Sequence, residues 1–130
     1  MKRYVDPTEQ LVTEVFAADI TRSVDYYRRL GFRLLRDACD FVELAWEDHA
    51  FFVAAASARE HAPPAGSASR LSRSMVNVRV MVPDVDKNWA LACDLRSSVL
   101  VPIADRHYGL RDFTIADPDG FGIRFASLLR

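Results

Sequence analysis

The segment DITRSVDYYRRLGF, residues 19–32, decides how the chain folds. Asp19 is a typical N-cap residue, because its carboxylate can accept hydrogen bonds from the N–H groups of the first helical turn. Apolar residues follow at positions 20, 24, 27 and 30, which is the spacing of one helical face. Gly31 stands where the end of a helix favours a left-handed residue. The segment therefore predicts a helix over residues 20–30.

A related passage, DVDKNW, begins at Asp84, which lies 65 positions after Asp19 in a chain of 130 residues. Short apolar or alternating runs surround both passages and predict strands. In the first half these runs are residues 11–16, 32–35, 41–46 and 50–55; in the second half they are residues 76–82, 99–103, 113–115 and 123–125. The inner face of the second helix is predicted to carry Val85, Trp89, Ala92 and Leu95.

This order predicts an α+β protein made of two βαβββ modules, about residues 9–55 and 75–128. Residues 56–74 contain Pro63-Pro64, Gly66 and five serines, so they are interpreted as a connecting loop. We treat residues 1–130 as a single domain, because this length suits one hydrophobic core. The second helix lacks a glycine at its end, where Arg96-Ser97-Ser98 stands, so its C-terminal boundary stays open.

Composition and charge exclude several classes of partner. The net charge is −1 and half of the residues are hydrophobic, which gives no reason to expect binding to nucleic acid or to an anionic membrane surface. No apolar run approaches the ~20 residues that span a bilayer, and the N-terminus lacks the apolar core of a signal peptide. Cys39 and Cys93 show no metal-binding spacing and fit a reduced compartment. We therefore expect a cytoplasmic protein.

Two motifs resemble those of the vicinal oxygen chelate superfamily, which includes glyoxalase I, extradiol dioxygenases, fosfomycin-resistance enzymes and bleomycin-resistance proteins. The first is the segment 19–32, and the second is YGLRDFTIADPDG, residues 108–120. The resemblance covers about residues 10–127 without the loop 56–74, and it is closest to the bleomycin-resistance-like members. It implies two βαβββ modules that form a curved mixed sheet around an internal cleft, usually completed by dimerisation, so we expect a homodimer.

The resemblance also indicates where catalytic members hold a divalent metal. The four corresponding positions here are Val12, Asn77, Arg124 and Phe52, or Val53 if the hairpin register differs by one. Valine and phenylalanine have no lone pair for a metal, asparagine is a weak ligand, and arginine is a permanent cation. We therefore expect no metal, no cofactor and no catalytic residues in this site.

Alternation along the predicted strands identifies candidate ligand-binding residues. The first strand places Val12, Glu14 and Phe16 on the cleft side; the second module places Asn77, Arg79 and Met81 there, with Arg124 from the last strand. Charges in a cavity require partners. Glu14, Arg79 and Arg124 could therefore form a mutual salt-bridge cluster, or they could orient a carboxylate, phosphate or amide of a ligand.

Aromatic residues and one histidine complete the candidate site. Trp46, Phe52 and Tyr108 could form stacking walls for a planar ligand, although packing in the core is the alternative for each of them. His107 precedes Tyr108 in a loop that edges the ligand pocket in members of the superfamily, and a surface position is the alternative for this residue.

Three functional hypotheses follow. The leading one is a non-enzymatic protein of the bleomycin-resistance type, which sequesters a small organic ligand such as an antibiotic. The second is a metal-dependent lyase, isomerase, transferase or dioxygenase with a displaced ligand set, such as Glu14, Glu43 and His107. The third is a regulatory or interaction module whose cavity has collapsed around Arg79, Arg124 and Glu14. The sequence does not identify the ligand.

Overall fold

The structure is a computed structural model, and it describes residue 2 and residues 4–56 and 76–130. The described residues divide into two compact units, one before and one after residues 57–75. We call residues 4–56 module one and residues 76–130 module two. Most of the predicted connecting loop lies outside the described residues.

Module one contains two helices and a four-stranded mixed sheet. Its elements are α1 (Pro7–Gln10), β1 (Thr13–Ala17), α2 (Ile20–Leu30), β2 (Arg33–Asp37), β3 (Phe41–Trp46) and β4 (His49–Ala55). The strand order is β1-β4-β3-β2; β1 runs parallel to β4, and the other neighbouring strands are antiparallel. The short helix α1 is an addition to the predicted βαβββ order.

Module two repeats this arrangement without the additional helix. Its elements are β5 (Asn77–Met81), α3 (Val85–Asp94), β6 (Ser98–Asp105), β7 (Leu110–Ala116) and β8 (Gly122–Leu128). The strand order β5-β8-β7-β6 has the same pattern of one parallel and two antiparallel pairs. The predicted α+β fold of two βαβββ modules is therefore confirmed.

The core of module one forms between α2 and one face of its sheet. Tyr27 and Leu30 of α2 are almost completely buried. The ring of Tyr27 lies 4.8 Å from that of Phe51 on β4 and 5.3 Å from that of Phe32, between ring centroids. Burial of each large apolar side chain contributes about 1.5–3 kcal/mol. The helical spacing predicted from the sequence thus places its apolar stripe on the sheet.

The core of module two forms in the same way between α3 and its sheet. Val85 and Ala92 are buried as predicted, and the ring of Trp89 lies 5.0 Å from that of Phe113. The hydroxyl of Ser127 accepts a hydrogen bond from the backbone N–H of Val85 (2.9 Å) and donates one to the carbonyl of Val82 (2.6 Å). This buried hydroxyl attaches the start of α3 to β8.

The two main helices end with the same hydrogen bonds but with different residues. After α2, Gly31 has φ +120°, and the N–H groups of Gly31 and Phe32 donate to carbonyls of the last turn. After α3, Arg96 has φ +57° and ends the helix in the same manner, although only glycine avoids the steric cost of a left-handed backbone. The helix boundary that the sequence left open therefore lies at Asp94, with Leu95 as the C-cap.

Candidate functional site

Each sheet has one face that packs on its helix and one that points away from it. We call the second the helix-distal face. On the sheet of module one it carries Glu14, Phe16, Phe41, Glu43 and Phe52; on the sheet of module two it carries Asn77, Arg79, Met81, Asp112, Thr114 and Arg124. Both sets include residues that alternation along the sequence had selected.

A row of residues crosses the helix-distal face of module one. Phe52 lies beside Glu14 on β1 and beside Glu43 on β3, in register with both. Its ring contacts that of Phe41 edge-on, with centroids 5.1 Å apart. Glu43 forms an ion pair with Arg36. An aromatic ring is thus flanked by two carboxylates, one of which is neutralised.

The register of the β3–β4 hairpin settles the alternative between Phe52 and Val53. Phe52 is half-buried and lies on the helix-distal face, whereas Val53 is fully buried on the other face. Phe16 lies on the same face as Phe52, with 39% of its surface exposed, and Val12 lies one residue before β1. Module one therefore brings together four of the predicted residues: Val12, Glu14, Phe16 and Phe52.

A cavity of about 660 Å³ opens on this face of module one. Phe52, Val12 and Ala45 contribute its apolar surface. Its polar side chains come from α1, the β3–β4 turn and the neighbouring strands; they are Asp6, Thr8, Glu9, Arg33, Glu43, Glu47 and Asp48. The cavity is acidic, because carboxylates outnumber the single guanidinium among these side chains.

The prediction that Trp46 forms a wall of the ligand site is wrong. Trp46 lies on the helix-packed face of β3, where its ring contacts that of Phe32 at a centroid distance of 5.2 Å. The same ring covers Gly31, at which an added Cβ would approach Trp46 to 3.0 Å. Trp46 therefore packs against the end of α2.

The polar side chains of module two converge on Asp112. Arg106 Nε donates to its Oδ1 (2.7 Å), and Arg124 Nη2 and the hydroxyl of Tyr108 donate to its Oδ2 (2.6 and 2.7 Å). Arg124 also donates through Nε to Oδ2 and through Nη2 to the Tyr108 oxygen, both at 3.0 Å. Arg106 is held further by the carbonyl of Pro102 (2.6 Å). These contacts fix two guanidinium groups and one phenol around one buried carboxylate.

The electrostatics of this cluster favour the ionised carboxylate. Burial raises the pKa of Asp112, but hydrogen bonds from Tyr108, Arg106 and Arg124 outweigh burial and hold the pKa below its ordinary value. The hydrogen bond to Asp112 raises the pKa of the Tyr108 phenol, so this hydroxyl remains a donor at neutral pH. Arg124 additionally lies over the ring of Tyr108, at 5.4 Å from its centroid.

Three other predicted residues belong to β5, next to this cluster. Arg79 lies opposite Arg124 in the parallel pairing of β5 with β8, and Asn77 lies opposite Gly122. All three side chains, those of Asn77, Arg79 and Met81, are exposed. Module two therefore brings Arg79, Arg124 and Tyr108 to one region.

His107 lies at the margin of this region. Its side chain is exposed, and its ring contacts the edge of Tyr108 at a centroid distance of 5.1 Å. None of the hydrogen bonds around Asp112 involves His107. The surface position that the sequence left as an alternative is the observed one.

Sequence reasoning missed Asp112 and Arg106. Asp112 is the ionic partner of Arg124, a role that the hypothesis of a collapsed cavity had given to Glu14. Alternation along β7 could have found Asp112, since Phe113 and Ile115 face the core and residues 112 and 114 then face the other way. Arg106 comes from the turn after β6, and no periodic pattern of sequence places such a residue.

A second groove, of about 1100 Å³, lies between α2 and β2 on the other side of the sheet of module one. Its polar side chains, among them Asp25, Arg28 and Arg29, are largely exposed. We assign the candidate site to the smaller cavity, because its lining includes Phe52 and Glu43, which are half-buried and belong to the helix-distal face.

The family comparison decides which group of proteins this fold represents. The sequence model of the Glyoxalase/Bleomycin resistance protein/Dioxygenase superfamily matches residues 9–125. The chain belongs to this superfamily. No curated protein matches the chain.

Solved structures of other proteins share the fold. TioX from Micromonospora sp. ML1 is 26% identical, with a TM-score of 0.70 and coverage of 92% of this chain and 98% of TioX. A protein of unknown function from Agrobacterium tumefaciens str. C58 is 25% identical, with a TM-score of 0.74 and coverage of 97% and 98%. Lactoylglutathione lyase from Agrobacterium tumefaciens is 17% identical, with a TM-score of 0.69 and coverage of 94% and 95%, and shows likeness of fold alone.

The residues at the superfamily's metal positions do not fit a metal. Val12 and Phe52 have no donor atom, and the guanidinium of Arg124 is held by Asp112. Within residues 4–56 and 76–130, no three side chains of His, Cys, Asp or Glu lie close enough to hold a metal ion. The described part of the chain also contains no helix long and apolar enough to cross a membrane.

Proposed function

We propose that the protein binds a small organic ligand on its helix-distal faces and acts by sequestration. The observation that carries this proposal is the cavity of about 660 Å³ in module one, whose volume lies in the range of small-molecule sites. Phe52 offers an aromatic surface there, and carboxylates and Arg33 surround it. Such a combination of one apolar surface and several polar groups can orient a ligand without chemical change.

The donor set supports binding in preference to metal-dependent catalysis. A lyase, isomerase, transferase or dioxygenase of this superfamily would need metal ligands, and Glu14, Glu43 and His107 were the displaced set considered above. Glu43 is engaged by Arg36, and His107 contacts Tyr108 at the surface. These contacts make metal-dependent catalysis through this displaced set a poorer proposal than ligand binding.

The proposal also covers the oligomeric state, the compartment and the class of ligand. We propose a homodimer in the cytoplasm that resembles the bleomycin-resistance-like members and takes an antibiotic-like ligand. The support is the resemblance of residues 19–32 and 108–120 to superfamily motifs, together with the likeness to TioX over nearly all of both chains. Size-exclusion chromatography with light scattering tests the dimer.

Ligand binding is tested by isothermal titration against a panel of glycopeptide-like and aromatic metabolites. We expect binding by at least one class, and a loss of about tenfold or more in the variant Phe52→Ala, because stacking and burial on this ring contribute more than 1 kcal/mol. The control is Val99→Ala, which changes an exposed apolar residue on β6 and leaves the affinity for the ligand unchanged. Absence of binding across the panel would remove the support for sequestration.

Metal content separates this function from the enzymatic alternative. Mass spectrometry of the untagged protein, as purified and after incubation with Zn, Ni, Mn or Fe, is expected to show substoichiometric metal. One tightly held metal ion per chain would contradict the proposal and favour a metal-dependent enzyme.

A further inference from the structure

Positive charge accumulates on the helix-distal face of module two. Among the described residues, three guanidinium groups, those of Arg79, Arg106 and Arg124, share this region with one carboxylate, that of Asp112. The neighbouring Asp105 is engaged elsewhere, by Arg111 (3.0 Å). The carboxylate can balance one of the three charges, so the face keeps an excess of positive charge.

Asp112 makes its side-chain hydrogen bonds to residues other than Arg79. Its Oδ1 accepts from Arg106, and its Oδ2 accepts from Tyr108 and twice from Arg124. The side chain of Arg79 forms no ion pair or hydrogen bond with any described residue.

Arg79 lies directly opposite Arg124 on neighbouring strands, at an interstrand spacing of about 5 Å. Like charges in such a position destabilise a sheet. The arrangement is understandable if an anion supplies the missing negative charge, since one anionic group can accept hydrogen bonds from two neighbouring guanidinium groups.

Arg124 is held in place for such contact. Its Nε and Nη2 are bound to Asp112, its Cζ lies over the ring of Tyr108, and 22% of its side chain is exposed. No described residue accepts a hydrogen bond from its Nη1. A guanidinium fixed by one carboxylate loses little side-chain freedom when its remaining donors bind a ligand.

The fold does not require arginine at these positions. The residue of module one that corresponds to Arg79, 65 positions earlier, is Glu14, and the residue paired with Glu14 is Phe52. The same sheet position therefore accepts either sign of charge. The arginine pair is a feature of module two alone.

We propose that Arg79 and Arg124 bind an anionic oxygen group of the ligand, such as a carboxylate, phosphate or phosphonate. This inference rests on the proposed function, because it names the chemical class that one of the two helix-distal faces recognises. Arg79 supplies an exposed, adaptable cation, and Arg124 supplies a fixed one.

The test is an NMR titration of the ¹⁵N-labelled protein with four probes, each of which contains one phenyl ring. Benzoate and phenylphosphonate are anionic, benzamide is neutral and benzylamine is cationic, and inorganic phosphate tests the anion without the ring. We expect the anions alone to shift the Arg124 Nε–Hε resonance and the amide resonances of residues 77–81. Comparison of benzoate with phenylphosphonate shows whether a carboxylate or a phosphorus oxyanion is preferred.

Arg79→Gln is the decisive variant, because Arg79 is exposed and its replacement leaves the Asp112 cluster intact. We expect it to weaken anion binding about tenfold or more, which is the usual effect of losing a charged hydrogen bond. Arg79→Lys should restore part of the affinity. Arg28→Gln, which removes an exposed arginine from α2, is the control for net charge and leaves binding unchanged.

Three outcomes overturn the inference: no response to any anion, an equal response to benzamide, or unchanged anion affinity in Arg79→Gln. Binding of benzamide or benzylamine to module one, without a response of module two to anions, would leave the proposed function standing and remove only the anion site. Absence of binding in the isothermal titration against metabolites would count against the proposed function itself. The failure of the anion site and the failure of the proposed function are therefore distinguishable.

Discussion

The carboxylate of Asp112 binds three polar side chains of module two. Its side chain is 3% exposed and holds Arg106, Arg124 and Tyr108 together. The two arginines are about one-fifth exposed, so they depend on this carboxylate for much of their charge compensation. A buried carboxylate in this position stabilises the native geometry only because all of its hydrogen bonds are made.

Asp112→Asn is expected to lower the free energy of unfolding by about 3 kcal/mol at pH 7, because two partly buried guanidinium groups lose their counter-charge. The folded pKa of Asp112 lies below the unfolded value of about 3.9. Its contribution is therefore present above that pH and is lost as the pH falls through the folded pKa. Urea unfolding measures the difference in the free energy of unfolding between Asp112→Asn and the unsubstituted protein. This difference should be constant above about pH 5 and smaller below about pH 4.

The matched control for this prediction is Asp25→Asn. Asp25 forms an exposed ion pair with Arg29 one turn along α2, and loss of such a pair changes stability by less than about 0.5 kcal/mol. A pH-independent difference between Asp112→Asn and the unsubstituted protein would show that the carboxylate charge does not stabilise the fold.

At the scale of secondary structure, α2 and α3 begin with the same residue type but use it differently. The Asp19 carboxylate accepts a hydrogen bond from the N–H of Arg22 (3.1 Å), whereas Asp84 makes no such bond with its side chain. The start of α3 is held instead by the hydroxyl of Ser127. Equivalent positions in the two modules therefore contribute differently to stability.

Asp19→Ala is expected to lower the free energy of unfolding by about 1 kcal/mol, the usual effect of losing an N-cap. Asp84→Ala is the matched control and should cost only a few tenths of a kcal/mol. Thermal or urea unfolding followed by circular dichroism measures both variants. Equal losses in the two variants would contradict the assignment of the cap to the Asp19 side chain.

Periodic patterns in the sequence predicted the elements that pack on a core. The bounds of α2 and β3 agree with the prediction, because each has a strong apolar period and a clear stop. The helix α1 has only four residues, which is too short for a period. Strand β6 is longer than predicted, and its pairing with β7 is irregular after Val99 and Val101. Local sequence does not encode such irregularities.

The candidate site was predictable only to the level of which residues share a face. Alternation correctly placed Glu14 with Phe16 and Arg79 with Arg124, since side chains along a strand alternate between the two sides of a sheet. It did not show that Arg124 binds Asp112, because this pair depends on the register of β7 with β8. For Trp46 the sequence left open a ligand wall or core packing, and the structure shows core packing against Phe32.

At the scale of the whole molecule, two similar modules carry opposite charges at corresponding positions. Glu14 and the other acidic residues give module one a negative helix-distal face, and Arg79 and Arg124 give module two a positive one. Each module has its own buried core. We propose that residues 1–130 nevertheless behave as a single domain.

Each module contains one tryptophan, so its unfolding can be followed separately in Trp46→Phe and Trp89→Phe variants. We expect Asp112→Asn to lower the urea midpoint equally in both backgrounds, because single domains of this size unfold cooperatively. Fluorescence excited near the red edge of tryptophan absorption measures each transition. An earlier transition for Trp89 than for Trp46 would instead indicate two independent units.

Arg124 occupies a position at which the superfamily resemblance expects a metal ligand, and this has a consequence for how the protein would work in a cell. A metal site acquires its positive charge from the surroundings, and it loses that charge to chelators or during metal scarcity. A guanidinium anchored to Asp112 is synthesised with the chain and remains charged at every physiological pH. Recognition through this group would therefore be independent of trace-metal supply.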